Sequence, residues 1–142
     1  MVTRLASIFA SLLLAACASA PPPALDWSLE KATKEGKFRV ALIPPAPEPL
    51  LQQIHSWSIR LMKPDGTPIE KGLVYLNGGM PEHGHGLPTR PMTVGEVSPG
   101  VYRVEGVKFN MPGRWELIVA IQANGTEDFA YFNKMVELPK AK

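Results

Sequence analysis

Apolar and polar residues alternate with period two along most of this chain. Across residues 55–61, His55, Trp57, Ile59 and Leu61 fall on one face, and Ser56, Ser58 and Arg60 on the other. That is the pattern of a half-buried strand. In residues 115–121 the apolar face is Trp115, Leu117, Val119 and Ile121. Runs at 38–43, 73–77, 93–97, 101–108 and 128–138 read as further strands. Turn signals separate them: Pro64-Asp65-Gly66-Thr67-Pro68, Pro99-Gly100 and Asn124-Gly125. No stretch has a convincing helical period. The pattern predicts an all-β fold, a single immunoglobulin-like antiparallel β-sandwich of about seven strands. Trp57 and Trp115 are expected to fill the space between the sheets. Tyr102, just after Pro99-Gly100-Val101, is expected to act as a corner tyrosine whose hydroxyl bonds to backbone.

Composition narrows the picture. The 142 residues suffice for one domain, and 15 prolines with 12 glycines argue against an all-helical protein. The formal charge of +2 comes without any block of like charge, so nothing suggests a nucleic-acid surface. A single cysteine rules out an internal disulfide.

That cysteine ends a leader. Met1-Val2-Thr3-Arg4 is a short positive segment, and Leu5 to Ala16 is an apolar run too short to span a bilayer. Leu14-Ala15-Ala16-Cys17 resembles the lipobox of bacterial lipoproteins. The resemblance implies cleavage after Ala16, a diacylglycerol thioether on Cys17 and an N-acyl lipid on its new amine. Two or more chains hold a protein stably on a membrane. Ala18 follows, rather than Asp, which favours the periplasmic face of the outer membrane over the inner membrane. The proline-rich stretch at 18–24 reads as a tether. The expected organisation is a signal peptide at 1–16, an acylated Cys and flexible tether at 17–36, and a sandwich domain at 37–139.

Residues 78–92 do not read as a strand. This long segment holds Met80, His83 and His85, with Met92 at its end. Loops of such length in a compact domain are usually functional or disordered. In extended chain, residues i and i+2 point the same way, so the two imidazoles can converge on one ion. Gly84 and Gly86 free the backbone beside them. Imidazole with thioether is a donor set suited to copper, as Cu(I) or Cu(II). Zinc is less favoured, because the folded part lacks Cys and has only Glu82 as a carboxylate in the segment. His55 and Met111, in the irregular Phe109-Asn110-Met111-Pro112-Gly113 stretch, are candidates to complete the set.

The segments containing His55-Ser56-Trp57, Gly78-Gly79-Met80-Pro81-Glu82-His83-Gly84-His85-Gly86-Leu87-Pro88-Thr89, Tyr102-Arg103-Val104-Glu105-Gly106 and Phe109-Asn110-Met111-Pro112-Gly113-Arg114-Trp115-Glu116-Leu117 resemble the YtkA-like family, related to FixH-like proteins. The likeness runs from about residue 38 to 138. It implies an exported or membrane-tethered protein. FixH-like relatives are associated with assembly of copper-containing respiratory oxidases, which implies copper handling at Met80, His83 and His85.

The expected function is therefore a lipid-anchored copper carrier, storage protein or metalation factor, with a copper-donating or copper-receiving protein as partner. The alternative is an adaptor domain that uses the same loop to bind protein. No small-molecule substrate is indicated. No nucleophile elbow, phosphate-cradling glycine loop or Cys–His pair points to an enzyme.

Overall fold

The alternating segments pair into two antiparallel sheets. The computed structural model describes residues 24–48 and 51–138. The leader, Cys17 and the proline run at 21–23 lie outside them. In chain order the strands are β1 (Glu30–Ala32), β2 (Arg39–Ile43), β3 (Ile54–Met62), β4 (Leu73–Met80), β5 (His85–Gly86), β6 (Met92–Ser98), β7 (Val101–Lys108), β8 (Gly113–Ala123) and β9 (Thr126–Val136). One sheet has the order β1-β2-β3-β7-β6, the other β5-β4-β8-β9. The core lies between them. Val40, Leu42, Trp57, Ile59, Leu61 and Val104 from the first sheet meet Val74, Leu76, Trp115, Leu117, Val119 and Phe132 from the second. Trp57 and Trp115 are buried, as their place in the alternation requires.

The sandwich has two more strands than the alternation suggested, and both are too short or too polar to show a pattern. β1 is Glu-Lys-Ala, and it falls in the stretch expected to be tether. It pairs with β2 through Glu30↔Ala41 and Ala32↔Arg39. Leu42 N–H donates to Leu29 C=O at 2.7 Å, and Arg39 Nε reaches Glu30 Oε1 at 2.6 Å. The edge of β2 is thus covered by backbone pairing, for which side-chain hydrophobicity is not needed. β5 is two residues long and pairs with the end of β4.

Tyr102 closes the corner where β3 hands over to β4. Its hydroxyl donates to Ile69 C=O at 2.7 Å and accepts from Gly72 N–H at 2.8 Å. Both partners lie about thirty residues upstream, so the tyrosine ties the β3–β4 connection to β7. Between His55 and Trp57 the β3–β7 register shifts. β7 carries the extra residue, and Gly106 takes the positive φ of 83° that the bulge needs. β3 stays regular there, so His55 keeps the inward face it shares with Trp57.

Asp128 is the buried carboxylate of β9. Its oxygens accept from Glu35 N–H at 3.1 and 3.2 Å, Lys37 N–H at 3.3 Å and Phe129 N–H at 2.8 Å. Burial alone would push its carboxyl up. The Thr33 hydroxyl and these N–H groups outweigh that and hold it below the usual carboxylate range. The carboxylate therefore pins the 33–37 turn, which follows β1, onto the other sheet. A group depressed in the fold adds stability above its unfolded pKa and loses it as pH falls. Asp128→Asn is expected to lower unfolding free energy by about 1–3 kcal/mol at pH 7. The difference should shrink as the pH of a urea titration drops below about 4.

Candidate metal centre

β4 does not stop where the alternation weakens. It runs through Gly78-Gly79 into Met80, so the first part of the segment expected to be loop is strand. The glycines explain both facts. A Cβ at Gly78 would lie 2.5 Å from Glu116 C=O on β8, and one at Gly79 would lie 2.6 Å from His85 C=O on β5. These residues were invisible as strand because glycine has little strand preference. They are required as strand because neighbouring backbones close in on both sides.

After Met80 the chain reverses in four residues. Met80 C=O accepts from His83 N–H at 3.0 Å and Gly84 N–H at 2.9 Å, and Gly84 sits at φ 67°. β5 then returns with Gly79↔Gly86 and Met80↔His85 in register. Leu87 N–H donates to Gly78 C=O at 2.9 Å to complete the hairpin. Directly opposed residues of an antiparallel pair put their side chains on one face. Met80 and His85 therefore share a side. Met80 is buried, His85 half-buried and His83 exposed at the tip.

The turn that leads into β8 supplies the other wall. Met111 Sδ stands 3.3 Å from His85 Nε2. His85 Nδ1 lies 3.1 Å from Gly86 C=O. A carbonyl oxygen can only accept, so in the Nδ1–H tautomer that contact is a hydrogen bond and Nε2 turns its lone pair to the thioether, whereas in the Nε2–H tautomer the ring donates to the sulfur. Two lone-pair donors that face each other suit an ion between them. A metal with bonds of about 2.0 Å to nitrogen and 2.3 Å to sulfur would hold them roughly 3.5 Å apart at a tetrahedral angle. The His83 and His85 ring centres are 6.0 Å apart. An ion bonded to both ring nitrogens lies roughly 3 Å from each centre, so His83 is within reach. Met80 lies cross-strand from His85 and against the turn that carries Met111. A Cβ at Gly113, two residues past Met111, would lie 2.9 Å from the Met80 terminal methyl.

Trp115 forms the floor. Its ring meets the His85 ring edge-on at 5.7 Å, and its Nε1–H donates to Met111 C=O at 3.1 Å. One indole therefore packs against one candidate ligand and fixes the backbone of another. Outside the corner, Arg114 Nε bonds Glu82 Oε1 at 2.6 Å and Arg114 also reaches Asn133 at 2.8 Å. That pairing holds the Glu82 carboxyl below its usual range and ties the hairpin tip to β8. Glu82, the one carboxylate of the segment, is thus engaged with Arg114.

His55 stands apart. It lies at the same end of the sandwich, but its ring packs on Phe109 at 5.3 Å, and Phe109 in turn packs on Trp115 at 5.1 Å. Trp57 Nε1–H donates to His55 Nδ1 at 2.8 Å. That bond occupies the Nδ1 lone pair and leaves the proton of neutral His55 on Nε2. Nε2 is buried without a partner among the described residues. Neither nitrogen offers a free lone pair, so the geometry does not recruit His55 as a ligand. Burial pushes its pKa down, which favours this neutral state.

Met92 is exposed on β6. Met135 is 45% exposed because it falls on the outer face of β9, while Met62 is buried. Among the described residues, no cluster of three or more His, Cys, Asp or Glu side chains is placed to hold a metal. What the corner offers is one imidazole, two thioethers and an exposed second imidazole.

A family model described as YtkA-like matches residues 32–120, from the end of β1 through most of β8. No curated protein and no solved structure matches the chain.

A substitution at Gly79 tests the hairpin. Gly79→Ala forces its methyl against β5 backbone and is expected to cost about 1–3 kcal/mol. Hydrogen exchange at Gly86 and Leu87 should accelerate more than the global loss explains. Protection that falls only in step with global stability would show that β5 is held by something else.

Proposed function

The chain belongs to the YtkA-like family, and from that premise we propose that it is an exported lipoprotein that binds copper at the β4–β5–β8 corner. The observation that carries this reading is the 3.3 Å approach of Met111 Sδ to His85 Nε2. The 3.1 Å contact of His85 Nδ1 with Gly86 C=O is the kind of outer contact that orients metal-bound histidines. Soft thioethers with imidazole favour copper over zinc, magnesium or calcium. The role is carrier, store or metalation factor, acting with a protein that gives or receives the ion. It is a binding role rather than a catalytic one.

The Leu14-Ala15-Ala16-Cys17 motif supports attachment through lipid on Cys17. Six residues separate that cysteine from Ala24, where the described chain begins, and an extended chain covers about 3.3–3.6 Å per residue. The copper corner would then work within a few tens of ångströms of the membrane, with the outer membrane favoured. Cys17→Ser is expected to abolish incorporation of labelled fatty acid and release the protein from the membrane fraction. Retention of both label and membrane attachment would contradict the lipoprotein reading.

Copper binding is tested on the full chain in detergent, with Cu(I) under reducing conditions and Cu(II) under oxidising ones. One equivalent should bind and quench tryptophan emission, because Trp115 lies 5.7 Å from His85. His83→Ala/His85→Ala should abolish this. Histidine ligation needs neutral rings, so affinity should fall on acidification. Binding no tighter than the double variant's would remove the copper reading, and a protein-docking role for the hairpin would take its place.

A further inference from the structure

The four donors at the corner differ in their access to solvent, and the difference has an order. Met80 is 1% exposed, and Trp115, the floor beneath His85, is 0% exposed. Met111 and His85 are half-buried, while His83 is exposed on the hairpin tip. Met80 and His85 are cross-strand partners within a ladder, and Met111 is fixed through its carbonyl by Trp115. His83 belongs to no ladder. It follows Pro81-Glu82 in a turn whose next residue, Gly84, has open space where a Cβ would be. Three donors are set by strand pairing or a buried anchor, and the fourth stands on the turn above them.

We propose that the site is divided: Met80, Met111 and His85 form an inner sulfur-rich set that retains Cu(I), and His83 is the outer ligand through which the ion is exchanged with a partner. The inference rests on the copper-binding reading and adds to it the oxidation state and the route. Two thioethers and one imidazole make a soft, low-coordinate set suited to a monovalent ion, whereas Cu(II) prefers nitrogen and oxygen in a tetragonal array. An incoming donor group cannot approach from the core side, where Met80, Trp115 and Phe109 are packed. It must approach from solvent, the side on which His83 stands. The 6.0 Å between ring centres lets His83 take hold of the ion before His85 releases it. Transfer then becomes a series of single-ligand exchanges, with no step in which the ion is bare. Copper stays in one oxidation state, and the only groups exchanged are neutral donors.

The experiment loads the full chain in detergent with Cu(I) under anaerobic conditions and challenges it with a Cu(I)-specific bidentate chelator. Equilibrium competition gives affinity, and stopped-flow absorbance of the chelator complex gives the transfer rate. His83→Ala is expected to leave affinity within about threefold of wild type while slowing transfer about tenfold or more. His85→Ala is expected to lose affinity by about 100-fold or more. Equal losses of affinity in the two variants would make His83 a resident ligand and overturn the division. A His83→Ala protein that transfers at the wild-type rate would overturn the exchange role. A wild-type chain that binds no Cu(I) fails at the equilibrium step and removes the copper reading itself. Because His83 is exposed, its replacement leaves the fold intact, and tryptophan emission of the metal-free variant checks this.

Discussion

The loop end of the sandwich depends on how Trp115 is held. Its indole fills the space between the sheets at the first inward position of β8, where no solvent reaches it. Burying so large a side chain is worth about 3–5 kcal/mol against alanine, but its N–H must find a partner in the process. That partner is the carbonyl of Met111, and the bond draws the 109–113 turn down over the end of β4. Phe109 packs against one side of the ring and His85 against its edge. A residue chosen for the core therefore also decides where a thioether and an imidazole stand.

Backbone proximity does the rest. Gly78 and Gly79 bring β4 so close to β5 and β8 that no side chain fits at either position. Strands usually keep such positions for β-branched residues, which pack well on a pleated surface. Giving that up at the last turn of β4 allows a two-residue strand to dock and sets Met80 opposite His85. Met80 and His85 thus sit on paired backbone rather than on a free loop, the more precise way to hold a binding constellation. Glu82 and Arg114 add a surface link between the hairpin tip and β8. Because Glu82 is solvent-exposed, the pair orients the tip more than it stabilises the fold.

Most of the fold was legible because period-two alternation reports burial directly. β3, β7 and β8 carry it plainly, and Trp57 and Trp115 fall where it places them. β1 was not legible, since Glu-Lys-Ala has no apolar face and owes its place to backbone pairing with β2. The end of β4 was not legible, since glycine carries no hydrophobic signal. The donor types at the corner could be read from Met80, His83 and His85 in one segment, and Met111 joined them from another. His55 shows what spacing leaves out. The alternation put it on the right face, two residues from Trp57. The face alone does not say that the indole N–H of Trp57 takes its Nδ1 lone pair. Tyr102 was recognisable as a corner residue, while its partners at Ile69 and Gly72 follow only from the three-dimensional path of the chain.

The central claim is that sulfur and nitrogen meet at one ion in this corner. X-ray absorption at the copper edge, on the Cu(I)-loaded full chain, reads that most directly. The account predicts a low-coordinate shell with more than one sulfur scatterer and at least one imidazole, with a sulfur lost in Met111→Leu. A shell of nitrogen and oxygen alone, unchanged by Met111→Leu, would contradict it.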